Sequence, residues 1–158
     1  MWVAEAVLER LAERGETLAT AESLTGGTLA GLLTDVPGAS RAFVGGVVSY
    51  ATRVKESALG VPHEVVARHG VISRECACAM ARGARSRLDA TYALATTGVA
   101  GPDRQDGHPV GTVWVALAGS DGEQARLLDL AGDRASIRSG ACEGALALLA
   151  ASLDLPES

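Results

Sequence analysis

The sequence predicts a single α/β domain, a three-layer α/β/α arrangement around a mixed, mostly parallel sheet. Three observations carry that expectation. Stretches with helical spacing alternate with short β-rich runs along the chain. The last two β-rich runs are separated only by a turn, which adds one antiparallel hairpin to the alternating series. The chain has 158 residues, 47% hydrophobic and 21% charged, which suits one folded domain with a substantial core.

The elements follow in order. Val3, Val7, Leu8 and Leu11 share one face of residues 2–14, an amphipathic helix that Gly15 ends. TLATAE (17–22) reads as a short strand, and TGGTLAGLLTD (25–35) returns to helical spacing before the turn VPGAS. AFVGGVVSY (42–50) is apolar and β-rich, which predicts a buried strand. Short helices are expected over 52–58 and 62–69, the second with Pro62 at its start. Ser73 is placed to cap a helix in which Cys76, Met80, Ala84 and Leu88 recur every four residues. TYALATTG (91–98) is a strand, followed by the loop VAGPDRQDGHP. Two strands, 111–119 and 123–132, flank the turn SDG. Asp133 is placed to cap a last helix that turns Ile137, Ala141, Ala145, Leu148 and Leu149 inward.

Composition narrows the function. The net charge is −5 and aromatics are 3%, so neither a basic face nor stacking platforms for bases are evident, and nucleic-acid binding is not expected. No apolar run is long enough to cross a membrane, and the N-terminal stretch reads as an amphipathic helix rather than a secretion signal. Cys76 and Cys78 form neither a zinc spacing nor a thioredoxin-type pair, and Cys142 stands alone. Three thiols without a secretion signal imply a reducing, cytoplasmic setting. His63, His69 and His108 lack metal-ligand spacing, so neither a metal nor a cofactor is expected. A domain of this size and type often pairs, and a homodimer is the corresponding expectation.

In α/β sheets, ligands bind where strand ends lead into helices. Three such junctions stand out. At the first, TAESLTGG, Ser23 sits on the turn after a strand, and Thr25, Gly26 and Gly27 open the next helix with accessible backbone N–H groups. The structural alternative is that Ser23 merely caps that helix. At the second, SYATRVKES, Lys55 is the only lysine among 14 Lys and Arg residues. Arg cannot accept a proton at physiological pH, whereas a desolvated Lys can. If the two strands are neighbours, Ser23 and Lys55 meet as a nucleophile and its base. Tyr50 either hydrogen-bonds this dyad or belongs to the core. At the third, TTGVAGPD, Thr97, Gly98 and Gly101 shape a pocket or a ligand-free turn, with Thr96 and Asp103 as further polar groups. In addition, Arg134 and Arg138 are four residues apart near a helix start, a spacing suited to holding a phosphate or to a solvated pair.

Taken together, TLATAESLTGG, GGVVSYATRVKESALGV, ALATTGVAGP, PVGTVWVALA and GDR resemble the CinA C-terminal domain family, whose enzymes are nicotinamide mononucleotide amidases. The resemblance covers about residues 3 to 153 and implies a lone domain without the molybdopterin-binding-like domain of larger members. It implies hydrolysis of the carboxamide of nicotinamide mononucleotide to nicotinate mononucleotide and ammonia. The family's Ser-Lys pair falls on Ser23 and Lys55 and its tyrosine on Tyr50. Thr25, Gly26, Gly27, Thr97, Gly98, Gly101, Arg134 and Arg138 are the expected substrate-binding residues. Two departures stand out: Leu24 replaces the usual cysteine after the serine, with a side chain expected to face the core. The loop GPDRQDGHPVG is shorter than usual, lacks Gly-Gly after Asp103, and has His108 where lysine is common. The rival readings are a catalytically silent nucleotide-binding or regulatory domain of the same fold, and a Ser-Lys amidase for another substrate.

Overall fold

A computed structural model describes residues 2–157. Six helices and five strands follow in the order α1 (Trp2–Arg14), β1 (Leu18–Glu22), α2 (Thr28–Thr34), β2 (Phe43–Val48), α3 (Thr52–Leu59), α4 (His63–His69), α5 (Arg74–Arg87), β3 (Tyr92–Gly98), β4 (Thr112–Gly119), β5 (Gly122–Asp129) and α6 (Arg134–Ser152), with a 3-10 turn at Ala39–Arg41. The strands lie in the order β2-β1-β3-β4-β5. β1 is parallel to β2 and β3, and β4 is antiparallel to both its neighbours, so four of the five strands run the same way. The mixed, mostly parallel sheet is therefore present, with β4–β5 as its hairpin.

Side-chain alternation splits the core into two unequal layers. Leu18, Leu94, Val113, Val115 and Leu117 face α1, α2 and α6 with large aliphatic groups. Ala19, Ala21, Ala93, Ala95, Ala116 and Ala118 face α5 on the other side. Small residues there let α5 lie close to β1, β3 and β4. The same economy recurs at Gly83, where a Cβ would collide with the Leu59 carbonyl, so α5 presses directly on the end of α3. Both caps expected on the long helices form: Ser73 Oγ accepts from Cys76 N–H at 3.1 Å, and Asp133 Oδ1 accepts from Ser136 N–H at 2.8 Å.

Two expectations need correction. The run 42–50 is not a buried strand: β2 is at the sheet edge, and Val44 and Val48 are each 49% exposed. An apolar run reports β-propensity, not position in the sheet. The second helix begins at Thr28 rather than Thr25, because Gly26 and Gly27 hold left-handed φ values of 57° and 103° that a helix interior does not allow.

Candidate active site

β1 connects to β2 on one side, and β2 then connects past β1 to β3 on the other. The carboxyl ends of β1 and β3 therefore flank a point where the winding reverses, the usual ligand position in such sheets. A cavity of about 410 Å³ opens there, within the range of small-molecule sites. Ser23, Tyr50, Lys55, Thr97, Gly98, Gly101 and Arg134 line it, with Leu24, Val71 and Ile72 among its apolar groups.

Strand alternation explains how Ser23 reaches it. Glu22, at the end of β1, points to the α2 layer; one residue further, Ser23 turns to the opposite layer, where α3 lies. The Ser23 N–H donates to the Thr96 carbonyl at 3.0 Å, which ties the turn to β3. Lys55 comes from α3 and is buried, only 1% exposed. Its Nζ is 2.9 Å from Ser23 Oγ, 2.7 Å from the Ser49 carbonyl and 3.1 Å from the Tyr50 carbonyl. The two carbonyls can only accept. A neutral amine has two N–H bonds, and these two acceptors use both, which leaves its lone pair for the Ser23 hydroxyl proton.

Electrostatics favour that neutral form. Burial pushes the Lys55 amine below its ordinary value. Among the described residues no carboxylate lies within ion-pair distance of it. Cys76 on α5 supplies no counter-charge near neutrality, because burial pushes its own thiol up to about 11.

The α2 start is organised by a residue that sequence reasoning passed over. The carboxylate of Glu22, 1% exposed, accepts from the N–H groups of Gly27 and Leu29 through Oε1 at 3.1 and 2.8 Å, and from Ala30 through Oε2 at 3.0 Å. Glu22 thus caps α2, and Ser23 does not, which removes the capping alternative for the serine. The available signal was a lone acid ending a buried strand one short turn ahead of Gly26-Gly27. The same arrangement corrects the role of the glycines. The N–H of Gly26 is taken by the Ser23 carbonyl at 3.0 Å and that of Gly27 by Glu22, so neither is free for a ligand.

Thr25, Gly26 and Gly27 lie outside the cavity lining. Thr25 Oγ1 instead hydrogen-bonds the buried Thr96 Oγ1 at 2.8 Å. Thr97 lines the cavity and donates to the Val71 carbonyl at 2.7 Å. Leu24 packs into the core, as expected of its replacement of a cysteine. The hydroxyl of Tyr50 does not reach the dyad: its side chain is 61% exposed and accepts from Arg134 Nη2 at 3.1 Å, and only its backbone carbonyl touches Lys55.

The two arginines of α6 part company. Arg134 lines the cavity and donates to the Gly101 carbonyl through Nη1. Arg138 turns away and grips the Ser23 turn from behind. Its Nε donates to the Leu24 carbonyl at 2.9 Å, and its Nη2 donates to the Thr25 carbonyl at 2.8 Å and to Thr28 Oγ1 at 3.0 Å. It is a buttress of that turn, not a cavity group. Among the described residues no cluster of metal-ligating side chains occurs, and no helix is long and apolar enough to cross a membrane.

The fold as a whole meets its counterpart in known proteins. Residues 2–153 match the family model described as the CinA C-terminal domain. The chain belongs to the CinA C-terminal domain family. A CinA-like protein of Frankia casuarinae is 59% identical over 143 residues, covering 90% of this chain and 33% of that protein. A CinA-like protein of an Anaeromyxobacter species is 51% identical over 144 residues, 90% of this chain and 35% of its own. This CinA domain thus spans about a third of the length of those relatives. The crystal structure of a CinA superfamily protein from Klebsiella pneumoniae superposes with a TM-score of 0.93 at 32% identity, covering 97% of this chain and 96% of that one. A competence/damage-inducible protein from Agrobacterium tumefaciens gives 0.91 at 34% identity, covering 97% and 94%.

Proposed function

We propose that this CinA-family domain is an amidase that hydrolyses nicotinamide mononucleotide to nicotinate mononucleotide and ammonia through Ser23 and Lys55. The observation that carries the reading is the buried Lys55 Nζ, 2.9 Å from Ser23 Oγ, with both N–H bonds of its neutral form held by carbonyls. That arrangement supports an amine that accepts a proton from one particular hydroxyl.

On this reading Lys55 takes the Ser23 proton as Oγ bonds to the carboxamide carbon. The carbonyl oxygen becomes an oxyanion. The N–H of Leu24, which lines the cavity and finds no acceptor within the protein among the described residues, is the donor that remains at this turn to meet it. Collapse of the adduct breaks the C–N bond, and the Lys55 ammonium returns its proton to the departing nitrogen as ammonia. Lys55 next deprotonates a water that attacks the ester. Ser23 Oγ leaves with the proton from Lys55, and acid plus free enzyme result. Arg134, on the cavity wall, is placed to hold the nucleotide's phosphate.

The test is ammonia release from nicotinamide mononucleotide by the purified protein and by Ser23→Ala and Lys55→Arg. Both variants should lose at least a thousandfold in kcat while their circular dichroism stays unchanged. Arg keeps N–H donors and much of the bulk but cannot act as base, so near-normal turnover by Lys55→Arg would remove Lys55 as the base. Wild-type binding of the nucleotide without ammonia release would favour a silent binding domain, and release only from other amides would reassign the substrate.

A further inference from the structure

The loop between β3 and β4 is a small hairpin rather than a slack connection. Gln105 and His108 pair through both backbone hydrogen bonds, at 3.2 and 2.8 Å. Asp106 and Gly107 close the turn with φ of 50° and 79°, the residue pair and the sign that a two-residue hairpin turn requires. Arg104 Nη2 donates to the Gly107 carbonyl at 2.9 Å, so the guanidinium is tied to the turn of this hairpin. Arg104, Asp103 and Gln105 all line the cavity that holds Ser23 and Lys55.

The charges around that cavity are unbalanced. Its lining carries the permanent cations Arg104 and Arg134 against one carboxylate, Asp103, in a chain whose net charge is −5. Among the described residues neither arginine has a carboxylate within ion-pair distance. Arg134 spends one nitrogen on the Gly101 carbonyl and another on Tyr50, which fixes its head. Arg104 spends only Nη2, so Nε and Nη1 keep donors for a ligand.

We propose that Arg104 is a specificity-determining residue: with Arg134 it forms a two-guanidinium clamp for the phosphate monoester of the substrate, and the hairpin presents it in position. The inference rests on the amidase reading for its substrate, and it concerns the phosphate alone. A phosphate dianion accepts from two forks at once, whereas the uncharged riboside gains nothing from either. Tethering of Arg104 to Gly107 lowers the entropy lost when the clamp closes.

Binding of nicotinamide mononucleotide and of nicotinamide riboside is measured by titration calorimetry on the Ser23→Ala protein, which cannot turn them over, and on the same protein with Arg104→Ala or Arg104→Lys. The expected result is about a tenfold loss for the nucleotide with Arg104→Ala, a smaller loss with Arg104→Lys, and no change for the riboside. An unchanged nucleotide affinity, an equal loss for both ligands, or no binding of either would overturn the proposal. Ammonia release by the unmodified protein is read in parallel. Release with an Arg104-independent affinity removes the clamp and keeps the amidase; phosphate discrimination through Arg104 without release supports the clamp and removes the amidase.

Discussion

On the proposed reading a single amine carries the chemistry at the scale of the residue, and its surroundings set the pH at which it works. Lys55 is desolvated and its pKa lies below the ordinary lysine value. The neutral form, which alone accepts the Ser23 proton, therefore accumulates as pH rises through that lowered value. The kcat/KM for nicotinamide mononucleotide should climb with pH along a limb that reports Lys55 and has its midpoint below the ordinary lysine value of 10.5. A midpoint at or above 10.5 would mean that the amine titrates as in water. Lys55 was legible from composition because a chain that otherwise uses arginine has no chance alternative base at this junction. Ser23 was legible from its place between a strand and Gly-Gly. Glu22 was not, because its partners are backbone N–H groups of a helix start that sequence placed three residues early.

Helices and turns show where spacing stops being informative. Residues four apart on α6 do share a face, yet Arg134 meets the cavity wall and Arg138 meets the turn 24–28. Spacing reports the face of a helix; which neighbour each turn of that face touches is settled by how α6 crosses the sheet. The edge position of β2 was hidden for the same reason, since FVGGVV reads alike at the edge and in the centre. The consequence is testable at Arg138, which holds the carbonyls of Leu24 and Thr25 and the hydroxyl of Thr28. Arg138→Ala should lower kcat at least tenfold with KM for nicotinamide mononucleotide nearly unchanged, because the nucleophile's turn loosens while the phosphate contacts stay. Arg138→Lys, with one donor head in place of a fork, should recover little of it. Should Arg138→Ala chiefly raise KM, the residue would belong to the phosphate site after all.

The whole molecule brings Ser23 and Lys55 together by topology. The reversal of winding at β1 brings the turn after that strand against a helix from the β2 exit, and two unequal core layers hold those elements in register. The general architecture was readable from alternating patterns; the strand order was not, because parallel crossovers leave no local mark of which neighbour they join. The same two layers enclose free thiols, and these govern behaviour in alkali. Burial pushes Cys142 up to about 12 and Cys76 up to about 11, from an ordinary value of 9.0. In the unfolded chain these thiols lose their protons near 9, and in the folded protein they keep them. Above pH 9 the folded state thus binds more protons, and each thiol removes about 1.4 kcal/mol of stability per pH unit until its folded value is reached. Lys55 acts in the opposite sense. Its folded pKa is lowered, so the unfolded chain holds the extra proton, and stability from this group rises with pH up to about 10.5. Burial raises the Cys78 thiol as well, so three thiols against one amine leave a net loss between pH 9 and 10. Cys142→Ala removes one thiol from α6 and should make the decline in unfolding free energy over that interval shallower by about 1 kcal/mol. Urea unfolding at pH 8, 9 and 10 reads this directly: the gap between the two proteins must change with pH, because a lost packing contact alone would lower the variant's curve by the same amount at every pH.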